Sequence, residues 1–343
     1  MAKIKLEICD NQEEWDDLVE RSSHGTIFHT WKFLKIVENH TNSELYPIIG
    51  MKGTNPIGVY PLFLQKKFFL KLVFSPPPHV AIPYLGPAFV DYEQLKQSKK
   101  ESNFIRFQKS VEEFLSSKLG VDYAYICSSP SIDDSRPLTW EGYNTNPRYS
   151  YSIDLSQGKD KVWKAMSKGR RNDIKRAEKE SIPITKGGKK EIVEIYNLLV
   201  QRYRDQGERT NVSKDYLLDV YHSFYPENLS ILFVEYDNEI ITGTIDLNYK
   251  KRTYSWIGNP KPYADIPNIN ELLTWESIKN SIDIGSRCYE IIGIASQERL
   301  YRHYSKFNPD FSIYFAATKR NKISRIMESA YLDLIKPLKS KTF

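Results

Sequence analysis

Three strand-length runs, Ser230 to Glu235, Ile240 to Tyr249 and Thr253 to Ile257, follow one another with only Asp237-Asn238 and Lys250-Lys251 at the turns. Turns that short require antiparallel pairing, because parallel neighbours need a long crossover. A three-stranded meander is therefore the fixed point of this chain, and its flanks decide the fold class. Upstream, the spacing predicts a strand at Tyr149 to Leu155, a basic helical region, a short strand near Ile182 to Thr185, and helices over Lys189 to Asp205 and Ser213 to Phe224. Downstream it predicts a helix over Ile269 to Ile284, strands at Cys288 to Ile292 and Phe311 to Ala317, and a closing helix over Ile323 to Ile335.

The first half is shorter and less regular. It predicts a strand near Lys3 to Ile8, helices over Gln12 to Glu20 and Thr30 to Asn39, and a hairpin of Leu45 to Met51 with Ile57 to Leu64. A helix over Phe104 to Lys118 and a strand at Asp122 to Cys127 follow. Between hairpin and helix, LVFSPPPHVAIPYLGP holds too much proline for a central strand and is too apolar for an ordinary exposed loop. It reads as a proline-stiffened connection packed on the sheet, with the lining of a cleft as the alternative. Ser128 to Arg148 turns irregular in composition, and 343 residues suit about two domains. The expected division is 1–148 and 149–343.

Charge is concentrated in one place. Lys159 to Lys179 carries nine Lys or Arg against Asp160, Asp173 and Glu178, which equals the net +6 of the whole chain. Around Trp163, Met166, Ile174 and Ala177 such a helix has a narrow apolar seam and an exposed face that attracts anions. Arg forks match phosphate oxygens, and residues 171 and 175 share a helical face, so Arg170, Arg171 and Lys175 are the first candidates for anion binding.

Several classes are excluded. Cys9, Cys127 and Cys288 are odd in number and widely spaced, so they read as buried thiols, and the six His residues show no metal-ligand spacing. A nucleophile elbow, a phosphate-binding P-loop and a dinucleotide turn are all missing from the sequence. The first residues lack the apolar stretch of a signal peptide, and no run reaches the roughly 18 apolar residues of a membrane span. A cytoplasmic protein without metal or resident cofactor is expected.

The segment YSIDLSQGKDKVWKAMSKGRRNDIKRAEKESIPI resembles the start of the second domain in the FemAB family and the related CelD-like acyltransferases. Its marks are a strand ending in D-L-S, a W-x-x-M helix and R-R-N-x-I-x-x-A-x-K. TYSWIGNPKPYADIPNINELLTWESIKNSIDIGSRCYEI is similar to the family's aromatic strand, irregular loop and L-x-W-x-x-I helix. GTIFHTWKFLKIVENH resembles the first helix of the family's first domain, with His29 where glutamine is usual. The resemblance implies an α/β (α+β) chain of two tandem GNAT-like domains. Each would have a mixed, largely antiparallel sheet flanked by helices, with a ligand cleft between the two domains.

It also implies chemistry: an N-acyltransferase moving an acyl or aminoacyl group, from acyl-CoA or aminoacyl-tRNA, to an amine by direct attack. The expected acceptor is a phosphorylated or nucleotide-linked cell-envelope precursor, with a lipid-linked acceptor on a peptidyl-bridge pathway as the alternative. Trp256 falls where the family has an aromatic residue facing the cleft, although a core tryptophan fits the alternation equally. The family often places Lys three residues before a Phe, where this chain has Tyr304 before Phe307. Either Tyr304 or Lys306 would then serve the oxyanion. Asp246 is a candidate general base beside Glu290 and His303, while Lys35 and Arg202 are candidate phosphate contacts. One of Asn268 and Asn270 is expected as the cap of the following helix.

The pyrophosphate signature of coenzyme A binding, [RQ]-x-x-G-x-[GA], is missing, which leaves the donor open. A catalytically decayed module that binds tRNA or another polyanion is the alternative of a different class. Peripheral membrane docking through KKFFLKLVF ranks last, because such a run reads first as a buried strand with charged ends.

Overall fold

The computed structural model describes residues 3–210, 212–262, 266–293, 298–322 and 324. They form two compact units. The first comprises residues up to Pro78, Tyr84–Arg148 and the chain from Tyr314 onward, and the second comprises His79–Pro83 and Tyr149–Ile313. The expected closing helix over Ile323 to Ile335 falls, but for Ser324, outside the described residues.

In the first unit, β1 (Lys5–Ile8), α1 (Gln12–Arg21) and α2 (Trp31–Thr41) lead to a meander of β2 (Glu44–Lys52), β3 (Asn55–Lys67) and β4 (Leu70–Ser75). The short β5 (Ala88–Phe89), α3 (Gln97–Phe114), β6 (Tyr123–Cys127) and α4 (Arg136–Trp140) follow. Strand order is β1-β2-β3-β4-β6. All neighbours are antiparallel except β4 and β6, the pair bridged by α3. Helix α3 packs closely because Gly50 and Gly58 face each other across β2 and β3. A Cβ on Gly50 would lie 2.7 Å from the Phe107 ring.

The second unit repeats this plan. β7 (Asn144–Asp154) leads into it, followed by α5 (Lys159–Ala165), α6 (Lys168–Lys179), β8 (Ile184–Lys186), α7 (Lys189–Asp205) and α8 (Lys214–Phe224). The meander is β9 (Leu229–Tyr236), β10 (Glu239–Tyr249) and β11 (Arg252–Gly258), then come α9 (Ile269–Asp283), β12 (Cys288–Ile291) and α10 (Glu298–Tyr304), and β13 (Asp310–Arg320) leads out. Strand order is β7-β12-β11-β10-β9-β8, with β11 and β12 parallel about α9. Both two-residue turns of the meander take the left-handed backbone such hairpins demand, at Asp237 and Asn238 and again at Lys250 and Lys251.

The mixed, largely antiparallel sheets flanked by helices agree with the expected fold class. Two details differ from the sequence reading. The second unit ends at Ile313, because β13 pairs with β6 from Ala316↔Cys127 to Arg320↔Tyr123 and so completes the first unit's sheet. The basic helix is broken in two at Ser167, whose side chain caps α6 by accepting from the Arg170 N–H at 3.1 Å.

His24 sits in the first unit, edge-on to Phe89 and Tyr92, and burial pushes its imidazole down to about 4. Unfolded His24 takes its proton near pH 6.5, so between those values the unfolded chain binds more protons and stability falls as pH drops. Urea titrations of the protein and of His24→Phe should therefore diverge from pH 6.5 towards 4. The loss in the parent should approach about 1.4 kcal/mol per pH unit. Parallel pH profiles would contradict this.

Candidate active site

β11 and β12 stay paired from Arg252↔Cys288 to Ser255↔Ile291, whereas β11 continues against β10 as far as Thr244↔Gly258. Past Ser255 and Ile291 the two parallel strands part. A cavity of about 520 Å³ opens there, lined by residues 255–259 and 291–293, by Tyr196, Arg202 and Tyr203 of α7, by Arg299 and Tyr304 of α10, and by 81–83. Ligands in open α/β sheets sit at the carboxyl ends of strands, where backbone groups leaving a ladder seek new partners.

One wall is the proline-rich segment, so its alternative reading as the lining of a cavity holds for Ala81–Pro83. Two aromatic side chains pin it by its carbonyls. Trp256 Nε1 donates to Ala81 O at 2.9 Å and the Tyr216 hydroxyl to Val80 O at 2.8 Å, with the two rings 6.4 Å apart. Trp256 is thus both largely buried and a lining residue, which joins the two readings the sequence left even. Ala81 is held at φ +50°, a conformation uncommon for a residue with a Cβ.

A second cavity of about 580 Å³ adjoins the first and shares Arg202, Asn259, Lys261 and Arg299 with it. The three cations form a seam between the two spaces. None of them has a carboxylate partner within salt-bridge distance among the described residues. Sequence reasoning named Arg202 but missed Lys261 and Arg299, which are isolated cations in their own segments. Asn270 shapes this edge: its Oδ1 accepts from Thr242 Oγ1 at 2.8 Å, and its Nδ2 donates to Pro260 O at 3.2 Å. Asn268 occupies the N-cap position of α9 without a side-chain cap bond.

Tyr304 is almost buried, and Asn259 Nδ2 donates to its hydroxyl at 3.4 Å. Burial pushes that hydroxyl's pKa up, so it stays protonated at neutral pH. Asp246, on β10, lies beneath. Its Oδ2 accepts from Ser277 Oγ at 2.5 Å and its Oδ1 from Thr244 Oγ1 at 3.3 Å, while burial pushes the carboxyl up to about 7. Ser277 also meets the Tyr289 hydroxyl at 2.9 Å, and Ser255, which lines the cavity, lies near that hydroxyl in turn. A chain of hydroxyls thus joins the cavity to a carboxyl that titrates near neutrality. Glu290 and His303 have other duties. Glu290 is buried against Arg252 at 2.9 Å and Ser150 at 3.1 Å, and burial lowers His303 to about 4.

The basic helix differs most from its sequence reading. Arg170 is buried, not presented to solvent: Nη2 donates to His303 O at 2.6 Å, Nη1 lies 2.9 Å from Glu271 Oε1, and the guanidinium stacks 4.6 Å over Phe307. The group is therefore held within the protein by one hydrogen bond and one ion pair, and its Nε has no hydrogen-bond partner among the described residues. Arg171 Nη1 donates to Lys164 O at 2.8 Å and Met166 O at 2.6 Å, closing the end of α5. Lys175 and Lys306 are exposed, and neither lines either of these cavities. Lys35, in the first unit, pairs with Glu38 one turn along α2.

These placements separate structural from surface cations. Arg170→Ala leaves Glu271 and a buried carbonyl without their partner and should cost about 3–5 kcal/mol of unfolding free energy. Arg171→Ala should cost about 1 kcal/mol and Lys175→Ala under about 0.5 kcal/mol. Equal effects of all three in chemical denaturation would contradict this ranking.

With this geometry in view, comparison with known proteins is informative. Residues 138–253 match the model of the FemAB family. No curated protein sequence matches the chain. Among solved structures, FemX has a TM-score of 0.67 at 11% identity, with 91% of this chain and 96% of that one covered. L-PGS from Bacillus licheniformis has a TM-score of 0.53 at 11% identity, covering 94% and 95%. A tandem GNAT protein from the clavulanic acid biosynthesis pathway has a TM-score of 0.52 at 9% identity, covering 92% and 98%. The chain is therefore FemAB-like in sequence over 138–253 and shares its fold with FemX and the tandem GNAT protein.

Proposed function

We propose that this protein is an N-acyltransferase that moves an acyl or aminoacyl group from a phosphate-bearing donor to an amine of a phosphorylated or nucleotide-linked cell-envelope precursor. The observation that carries the reading is the meeting, in one cavity, of parted parallel strands, a protonated Tyr304 hydroxyl and the cations Arg202, Lys261 and Arg299. Aminoacyl-tRNA carries its phosphates a few bonds from the ester and acyl-CoA carries them beyond the pantetheine arm, and the cationic seam suits a phosphate of either donor. Both donors belong to the cytoplasm, which is the compartment the proposal assigns.

In this reading the donor carbonyl lies between the strand ends, and its oxygen takes a hydrogen bond from Tyr304 as negative charge develops. The amine enters neutral and forms the N–C bond, and the C–S or C–O bond to the carrier breaks. The nitrogen's surplus proton passes along Ser255, Tyr289 and Ser277 to Asp246, the released thiolate or alkoxide takes a proton from water, and Asp246 then returns its proton to the hydroxide so formed. Trp256 and the 81–83 wall give this space one apolar face, against which the donor is held.

The test offers purified protein radiolabelled acyl-CoA and charged tRNA with a pool of amine-bearing sugar nucleotides. Label should move to an amine. Tyr304→Phe should lower kcat about 10²-fold, and Arg202→Ala should raise KM for the donor with little change in kcat. Activity should fall as pH drops below about 7, where Asp246 becomes protonated, and Asp246→Asn should remove that limb. Label transfer from neither donor class, or full activity in Tyr304→Phe, would overturn the proposal.

A further inference from the structure

The hairpin between β3 and β4 breaks three rules at once. Its register is Lys66↔Lys71 and Lys67↔Leu70, so Phe68 and Phe69 alone form the turn. Two-residue turns favour Gly, Asn and Asp because the backbone enters the left-handed region, yet Phe68 stands there at φ +56°. Both rings project into solvent, Phe68 being 87% exposed and Phe69 70%, the highest values among the exposed large hydrophobic residues. Like charges placed directly opposite destabilise a ladder, and Lys66 faces Lys71. The segment is thus not the buried strand its composition suggested: strand residues such as Val73 are buried, and the two aromatics form the tip.

The exposed rings and the facing lysines both cease to be unfavourable against one kind of surface, and that gain can offset the strained turn. Two adjacent aromatic rings at a projecting tip gain by leaving water, and lysines just behind them gain beside anionic headgroups. Lys66 and Lys67 are exposed and have no ion-pair partner among the described residues, whereas the Lys71 ammonium donates to Leu119 O at 2.7 Å. A protein partner would satisfy the rings but gives no reason for unopposed lysines around them. Charge complementarity favours the lipid.

We infer that the Phe68-Phe69 hairpin is a peripheral membrane anchor that inserts its two rings into the interface of an anionic bilayer, with Lys66 and Lys67 against the headgroups. No helix among the described residues is long and apolar enough to cross a membrane; the contact inferred is a docking by the hairpin tip. It depends on one tip of the first unit and is independent of the catalytic reading. An acceptor embedded in the bilayer and a soluble one are both compatible with it.

Co-sedimentation of the full chain with phosphatidylglycerol–phosphatidylcholine vesicles tests the inference. Binding should be present there, weak on pure phosphatidylcholine and reduced by salt. The double substitution Phe68→Gly with Phe69→Ser gives the turn residues its backbone prefers, so thermal stability should hold or rise while vesicle binding drops about tenfold or more. Lys66→Gln with Lys67→Gln should abolish the preference for anionic lipid. Vesicle binding unchanged by the aromatic pair, or no binding by the parent protein, would overturn the inference. Self-association removed by the same double substitution, without vesicle binding, would assign the tip to a second copy and overturn it equally.

Discussion

The second unit is organised around one buried cation. Arg170 reaches from α6 to the carboxylate of Glu271 on α9 and the carbonyl of His303 on α10, and stacks on Phe307 just beyond. Taking a guanidinium out of water is costly, and burial lowers its pKa to about 10. The cost is offset because the guanidinium ties α6 to α9 and α10, helices whose side chains Ile174, Ala177, Leu272, Leu273 and Tyr304 also share one apolar core. Tyr304 lies one residue beyond the carbonyl that Arg170 holds. A cation read from the sequence as a ligand contact is therefore, in the structure, what holds the candidate catalytic helix in position.

A second constraint is the parting of β11 and β12. Parallel pairing holds them as far as Ser255 and Ile291, and α9 bridges them at the buried end. The gap requires that one strand keep a partner on its other side, and β10 supplies it as far as Gly258. One edge of the opening is consequently a strand that remains paired. Asp246 lies behind that edge, buried and bonded to the hydroxyls of Ser277 and Thr244. A carboxyl near pH 7 is unstable as an anion in such a place, so its folded form favours the proton and its contribution to stability declines as pH rises towards 7.

The elements were legible because their signals are local. The meander, α7 and α9 follow from periodicity and from turns too short for any other pairing. The return of β13 to the first unit was not legible, since pairing with β6 is made across nearly 190 residues and leaves no mark on either strand. The cavity's cations were only partly legible for a related reason. Charge density along the chain singled out α6, whereas the cations lining both cavities come one each from α7, the segment after β11 and α10, and only Arg202 among them was named from the sequence. Counting charge finds a basic segment, whereas a site is a convergence of segments.

Backbone strain shows the same distinction. Asp237, Asn238, Lys250 and Lys251 are left-handed because a tight hairpin needs that geometry, and any chain with these turns would show it. Ala81 and Asn259 are left-handed where no hairpin asks for it, and both line the cavity. Ala81 is held by a bond from Trp256 to its carbonyl, and the Asn259 N–H donates to Gly243 O at 2.7 Å. Such conformations persist only where surrounding contacts over-determine them, and they concentrate where a chain must present particular atoms to a ligand. Phe68 belongs to neither group. Its turn would accept glycine with less strain, and its ring makes no core contact that would hold it there. A residue that is unfavourable both for its backbone and for its solvation is explained by an interaction outside the folded chain.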